Sequence, residues 1–229
     1  VLSRLLGMVL LYLMGHYLKP EWLGLYMLVG AYLTFFRLTA MGEIGQIVVR
    51  EASKDKTHAE QLAGNAILIQ FCGALVGIMA ANLAAYALGY TTDQRILILI
   101  LSLDLLLAPV PLFFAGLTAD LNQKPAVFFD SLYRLVSTMA AGAILLTAPS
   151  QRWAVFGLII ANQVLAFALA PFKISITRRY FKPRFRVDWN VWKRLFADAW
   201  PLLFNGIFII IYLRIDQLLL ERMAGAESL

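Results

Sequence analysis

The sequence predicts an all-α fold, a polytopic bundle of membrane-spanning helices. Three observations predict it. Of 229 residues, 61% are apolar and only 15% are charged, with a mean hydropathy of +0.73; a soluble domain of this size has too little interior to hide so much apolar surface. The apolar residues fall into runs of roughly twenty, the length that crosses a bilayer as a helix. Between the runs stand charged or proline-bearing segments that cannot remain in hydrocarbon. A chain of this length has room for about seven such spans.

The first run, Leu5 to Leu18, ends at Lys19-Pro20-Glu21. It is short and begins without an initiator methionine, so a truncated first helix is expected. The second extends from about Leu25 to Val49, passes through Arg37 and Glu43, and stops at the charged loop Arg50 to Lys56. The third, from about Leu62 to Leu88, places Gly73, Gly77, Ala81, Ala85 and Gly89 at every fourth position. That spacing makes one small-residue face, which lets helix backbones approach closely in lipid. Cys72, the single cysteine, has no second thiol to bridge and reads as a small buried hydrophobe.

The fourth run, Ile96 to about Leu117, holds Asp104, Pro109 and Pro111. Each proline removes a backbone donor and clashes with the preceding turn, so a kink or break is expected there. The fifth and sixth runs cover about Ala126 to Ala148 and Trp153 to Phe172, punctuated by Pro149 and Pro171. Next comes the longest linker, Lys173 to Arg194, with eight bases against the single acid Asp188. Its second part, Trp189 to Trp200, has the pattern of an amphipathic helix at headgroup level. A seventh run, about Leu202 to Leu220, contains Arg214 and Asp216. The division that follows is a six-helix unit over 1–172, a basic linker with an amphipathic helix over 173–200, and the first helix of a second unit over 201–229.

Lysine and arginine stay on the cytoplasmic side of membrane proteins. With the amino terminus inside, the inner loops hold Arg50, Lys54, Lys56, Lys124 and the eight linker bases, while the outer loops hold Lys19, Arg95 and Arg152, a bias of about twelve to three. The net charge of +6 is therefore topological and does not call for nucleic acid.

Ionisable groups at membrane depth are costly and mark function or helix-locking ion pairs. Arg37, about twelve residues into the second run, is expected near the midplane, with Glu43 some 120° round the same helix. Asp104 falls near the middle of the fourth helix on roughly the face of Pro111, and Asp216 past the middle of the seventh. Arg37 is thus the candidate for binding an anionic substrate group, with Asp104 or Asp216 as its partner and as the acid that exchanges a proton or sodium ion. The alternative is that these groups are structural ion pairs. Glu43 with Arg50, and Asp130 with Arg134, read as structural pairs near the inner surface.

His16 and His58 lie near no cluster of acids or thiols, so neither a metal site nor a cofactor is indicated. With no glycine-rich phosphate loop and no nucleophile near a histidine, enzymatic function is not expected.

Two stretches carry a resemblance. Leu18-Lys19-Pro20-Glu21-Trp22-Leu23-Gly24-Leu25-Tyr26, followed by Met41-Gly42-Glu43-Ile44-Gly45 and Ile47-Val48-Val49-Arg50-Glu51, resembles the polysaccharide biosynthesis flippases of the multidrug/oligosaccharidyl-lipid/polysaccharide exporter superfamily. Lys19 and Leu23 depart from that family's usual loop glycine and aromatic residue. Tyr212 to Leu220, followed by Gly225-Ala226-Glu227-Ser228-Leu229, is similar to the family's seventh helix and next loop.

The resemblance implies a MATE-like arrangement, two six-helix lobes around a central cavity working by alternating access. It implies as substrate an undecaprenyl-type lipid diphosphate bearing a sugar repeat, translocated across the bacterial cytoplasmic membrane. Only the first lobe and one helix of the second are then present, and this stretch alone is not expected to transport. A small-molecule cation antiporter of the same superfamily, and a membrane-embedded glycosyltransferase or ligase, remain the alternatives.

Overall fold

A computed structural model describes the backbone of residues 2–40, 43–122, 124–178 and 180–224; side chains are described over the same ranges except 2–4, 202, 203, 207 and 210–224. Among the described residues all regular structure is helical. Five segments are long and apolar enough to cross a membrane, namely Pro20–Ala40, Lys56–Ala87, Thr92–Ala119, Lys124–Thr147 and Gln151–Thr177, and Leu5–Tyr17 is a shorter apolar helix. The polytopic helical bundle expected from the sequence is therefore found.

Helix α1 (Leu2–Tyr17) packs on α7 (Lys124–Thr147), which packs on α8 (Gln151–Thr177). Helix α2 (Pro20–Phe36) begins with its proline in the first turn, where the missing N–H costs nothing. It therefore starts five residues before the apolar run does. Arg37 consequently lies about 26 Å along from Pro20, at the end of α2 and not near its middle.

The second predicted run is also not one helix. After Phe36 the chain tightens into a 3-10 turn, Arg37–Ala40, and a separate helix α3 (Ile44–Ala52) follows. Glu43 therefore does not continue the helical register of Arg37. Its carboxylate accepts from Gln46, whereas Arg50 lies 3.6 Å from Glu51, so the expected Glu43–Arg50 pair does not form.

Helix α4 (Lys56–Ala87) opens with Asp55 as its cap, the carboxylate accepting from the backbone N–H groups of Thr57 and His58. It closes at Gly89, whose φ of +71° needs glycine, with Tyr90 N–H returning to the Ala85 carbonyl. Ala81 and Ala85 are buried as the small-residue stripe requires, while Gly89 serves the turn. Cys72, expected to be buried, is exposed beside Phe71, Leu75 and Val76. A helix this long shows neighbours only one side, and an apolar run does not reveal which residues face out.

Helix α5 (Thr92–Ser102) starts with a capping box, Thr91 and Gln94 satisfying each other's backbone N–H groups. The break expected near the prolines is present: 3-10 turns Leu103–Leu107 and Val110–Phe114 lead into the short α6 (Ala115–Ala119). The carbonyls of Ile100 and Leu101, at the point where α5 gives way, both accept from the buried Gln163 side chain at 3.0 Å. In lipid that replacement of lost helical donors is what permits irregular backbone at depth.

The two ends of the bundle differ. At one, Lys19 N–H meets Gln151 Oε1 at 3.1 Å and Arg152 pairs with Asp93 at 2.7 Å, gathering the α1–α2, α4–α5 and α7–α8 connections. At the other, Lys56 pairs with Asp120, and Arg194 approaches Glu51 at 4.0 Å. The loops divide between the ends as the charge pattern predicts.

Two helices are longer than the hydrocarbon core of a bilayer is thick. Helix α4 and the final helix α9 (Trp189–Ala224) have 32 and 36 residues, about 48 and 54 Å at 1.5 Å per residue, against a hydrocarbon core of about 30 Å. The amphipathic stretch and the seventh apolar run share α9, which continues through Pro201.

The chain between α8 and α9 is strapped to α4. Arg184 N–H donates to the Glu60 carbonyl at 2.8 Å, and the Arg184 guanidinium lies 3.3 Å from the Glu60 carboxylate. A Cβ at Gly64 would collide with the Arg184 backbone, so glycine is what admits the strap. Asn65 Oδ1 accepts from Asp188 N–H at 3.0 Å and Trp192 Nε1–H at 2.9 Å. Phe181, Leu195 and Ala199 complete a core with Ile44, Val48, Leu62 and Ala66.

Candidate functional site

Arg37 and Asp104 meet. The Arg37 Nη2 donates to Asp104 Oδ2 at 2.7 Å, with the arginine side chain 63% exposed and the aspartate 33%. Each partner stands on a 3-10 turn, Arg37 at the end of α2 and Asp104 where α5 breaks. Their backbones are about 26 and 18 Å from the starts of α2 and α5 at the same end of the bundle, and the long arginine side chain spans the difference.

Glycines on α4 set this meeting. A Cβ on Gly73 would collide with the carbonyl oxygen of Thr39, and one on Gly77 with the Thr39 hydroxyl, at 3.2 Å also from the Phe36 carbonyl. Part of the small-residue stripe therefore seats the turn that carries Arg37. Of the two acids weighed as partners for Arg37, Asp104 holds it; the side chains of Arg214 and Asp216 lie outside the described residues.

Asp104 also borders a cavity of about 360 Å³ between the α5 break, α7 and α8, walled further by Pro111, Asp130, Tyr133, Arg134 and Lys173. Arg37 is not among its walls and touches it only through Asp104. Asp104 and Pro111 do share this cavity, although the broken segment between them is not the regular helix the sequence suggested.

Helix α7 turns its charged side here because its polar residues anchor it to α8. Tyr133 Oη donates to Asn162 Oδ1 at 2.6 Å, and Ser137 Oγ lies 3.2 Å from the same oxygen. Asp130 is held by Lys173 at 3.1 Å, across the groove between the two helices. Asp130 and Arg134, read from the sequence as a four-spaced structural pair, are thus not paired with each other. What could have flagged them was their shared depth with Lys173, since one stands early in α7 and the other late in the antiparallel α8.

At 1.5 Å per residue, Lys173, Asp130 and Arg134 lie about 6, 9 and 15 Å from the basic end of their helices. The cavity therefore occupies the half of the bundle nearer that end. Its wall carries two acids, Asp104 and Asp130, and two bases, Arg134 and Lys173. Among the described residues no group of three or more His, Cys, Asp or Glu side chains is placed to hold a metal ion.

The family model described as polysaccharide biosynthesis protein matches residues 1–229. Neither the curated proteins nor the solved structures yield a match. The resemblance carried by the Pro20-Glu21 loop and the Arg50-Glu51 pair is borne out: the chain is a membrane protein belonging to the polysaccharide biosynthesis protein family.

Proposed function

We propose that this chain forms the first lobe of a MATE-like flippase that carries lipid-linked saccharide repeat units across the bacterial cytoplasmic membrane by alternating access, with its amino terminus in the cytoplasm. Such a substrate is anionic at its diphosphate, apolar in its lipid and polar in its sugar. It needs a charged recess at membrane depth that is open to one side at a time.

The observation that carries this reading is the Arg37–Asp104 pair at the border of the cavity. An arginine whose side chain stays largely exposed while ion-paired can change partners, and a diphosphate is a stronger acceptor for its fork than one carboxylate. Asp104, or Asp216 on α9, is the acid that would take a proton or sodium ion as the arginine is released. The basic end, with its strap, faces the cytoplasm by the positive-inside rule. The lobe moves its cargo without making or breaking a covalent bond, which distinguishes it from a glycosyltransferase.

The test uses the complete reading frame containing this chain in a bacterium lacking its own saccharide flippase. Return of surface polysaccharide, and its loss in Arg37→Ala at matched membrane levels, is expected. Rescue by both would retain translocation and reduce Arg37 to a structural role; correct insertion without rescue by the parent, across hosts with different repeat units, would overturn the reading.

A further inference from the structure

The acids on the cavity wall are already taken, and one of its bases is not. Asp104 is held by Arg37 at 2.7 Å and Asp130 by Lys173 at 3.1 Å. Arg134, on the same wall, is in none of the ion pairs among the described residues. Asp130 stands one helical turn before it, the spacing at which an acid and a base on a helix normally meet. Yet Asp130 reaches across to α8 instead.

The Arg134 backbone is about 15 Å from the basic end of α7, and its guanidinium extends towards α1, where a Cβ on Gly7 would stand 4.0 Å from Nη1. A cation inside a spanning bundle is costly without a counter-ion, and it marks a pathway when it borders a cavity. The volume of about 360 Å³ beside it far exceeds what a monatomic anion fills, since a water molecule's share of the liquid is about 30 Å³.

We propose that Arg134 is an anion-binding residue of the cavity and that its counter-ion is a phosphoryl group of the substrate, received beside the Lys173–Asp130 pair. A guanidinium offers a planar fork that matches two phosphoryl oxygens at once. The inference rests on the flippase reading and adds to it a residue on α7. Two sources carry this chemistry, the diphosphate of a lipid-linked saccharide and the headgroup of a bulk phospholipid, and the substrate is the one assigned.

The full-length protein in nanodiscs of zwitterionic lipid is titrated with a polyprenyl diphosphate lacking sugar, with inorganic diphosphate, and with phosphatidylglycerol. Arg134→Gln is expected to weaken polyprenyl diphosphate binding by about tenfold to a hundredfold, the loss of a charge-assisted contact. Arg134→Lys retains part of the affinity, and Arg152→Gln at the opposite end retains all of it. Thermal unfolding of each variant verifies that the bundle is intact, and the lysine variant serves if the glutamine variant is not.

Binding unchanged in Arg134→Gln but lost in Arg37→Ala overturns the Arg134 assignment and leaves the flippase reading standing. No binding of any diphosphate by the parent overturns both. Phosphatidylglycerol binding as tightly as the polyprenyl diphosphate assigns the anion to bulk lipid and overturns the substrate assignment.

Discussion

The backbone of Thr39 rests against Gly73 so closely that a Cβ there would collide with the Thr39 carbonyl oxygen. The obstruction is backbone, which cannot swing aside as a side-chain tip does. Gly73→Ala should therefore push the Arg37–Ala40 turn off α4, at a cost of about 1–3 kcal/mol as for other overpacked sites. Thermal unfolding of the full-length protein in detergent measures it. Gly15, with open space around its missing Cβ, is the matched control and should be nearly neutral.

The Arg37–Asp104 pair is partly exposed, so its strength is discounted for solvent screening, to about 0.5–1 kcal/mol. Arg37→Asp and Asp104→Arg should each destabilise the protein, and the double exchange should recover most of the loss. A double-mutant cycle on unfolding midpoints reads the coupling. Exchange should restore stability without restoring saccharide export, because the base then stands on the other turn.

Asn65 fastens the strap through one oxygen that receives both Asp188 N–H and the Trp192 indole. Asn65→Ala leaves those donors without their partner, a loss of about 1–3 kcal/mol. Limited proteolysis should cut between Tyr180 and Asp188 faster in this variant, and Trp192 emission should shift to longer wavelength.

The bundle was legible where the physics is local. Runs of apolar residues and the prolines at 109 and 111 announce helices and breaks from composition and spacing alone. The interruption after Phe36 was not legible, because Arg37 to Ala40 keeps the apolar pattern of a helix while Gly73 and Gly77, some thirty-five residues on, provide the seat for a tighter turn. The pairing of Arg37 with an acid was expected, and Asp104 was one of two candidates that only three-dimensional proximity could separate. The Asp130–Arg134 pairing failed for a related reason: Asp130 offers Arg134 a local partner in sequence, and the competitor Lys173 is on another helix. The buried reading of Cys72 failed because apolarity in a membrane protein does not distinguish lipid-facing from inward residues.

Glu51, half of the Arg50-Glu51 motif, gathers the basic end. Its carboxylate accepts from Lys54 at 3.0 Å and lies near Arg50 and Arg194. The Lys54 hydrogen bond first, and then the charges of Lys54, Arg50 and Arg194, hold its pKa below the ordinary value of 4.5 against the opposing effect of desolvation. A lowered pKa stabilises the fold fully above that ordinary value and ceases to do so as pH falls through the lowered one. Unfolding midpoints of the parent should therefore drop below about pH 4.5 more steeply than those of Glu51→Gln. Equal slopes would remove Glu51 from the acid response.

Translocation itself is tested most directly by reconstituting the full-length protein in liposomes loaded with a lipid-linked saccharide and following its appearance at the outer face with an impermeant lectin. The account predicts time-dependent exposure by the parent and marked slowing in both Arg37→Ala and Arg134→Gln at equal reconstitution. Exposure no faster than in protein-free liposomes, across several repeat-unit structures and with proton and sodium gradients of either sign, would contradict it.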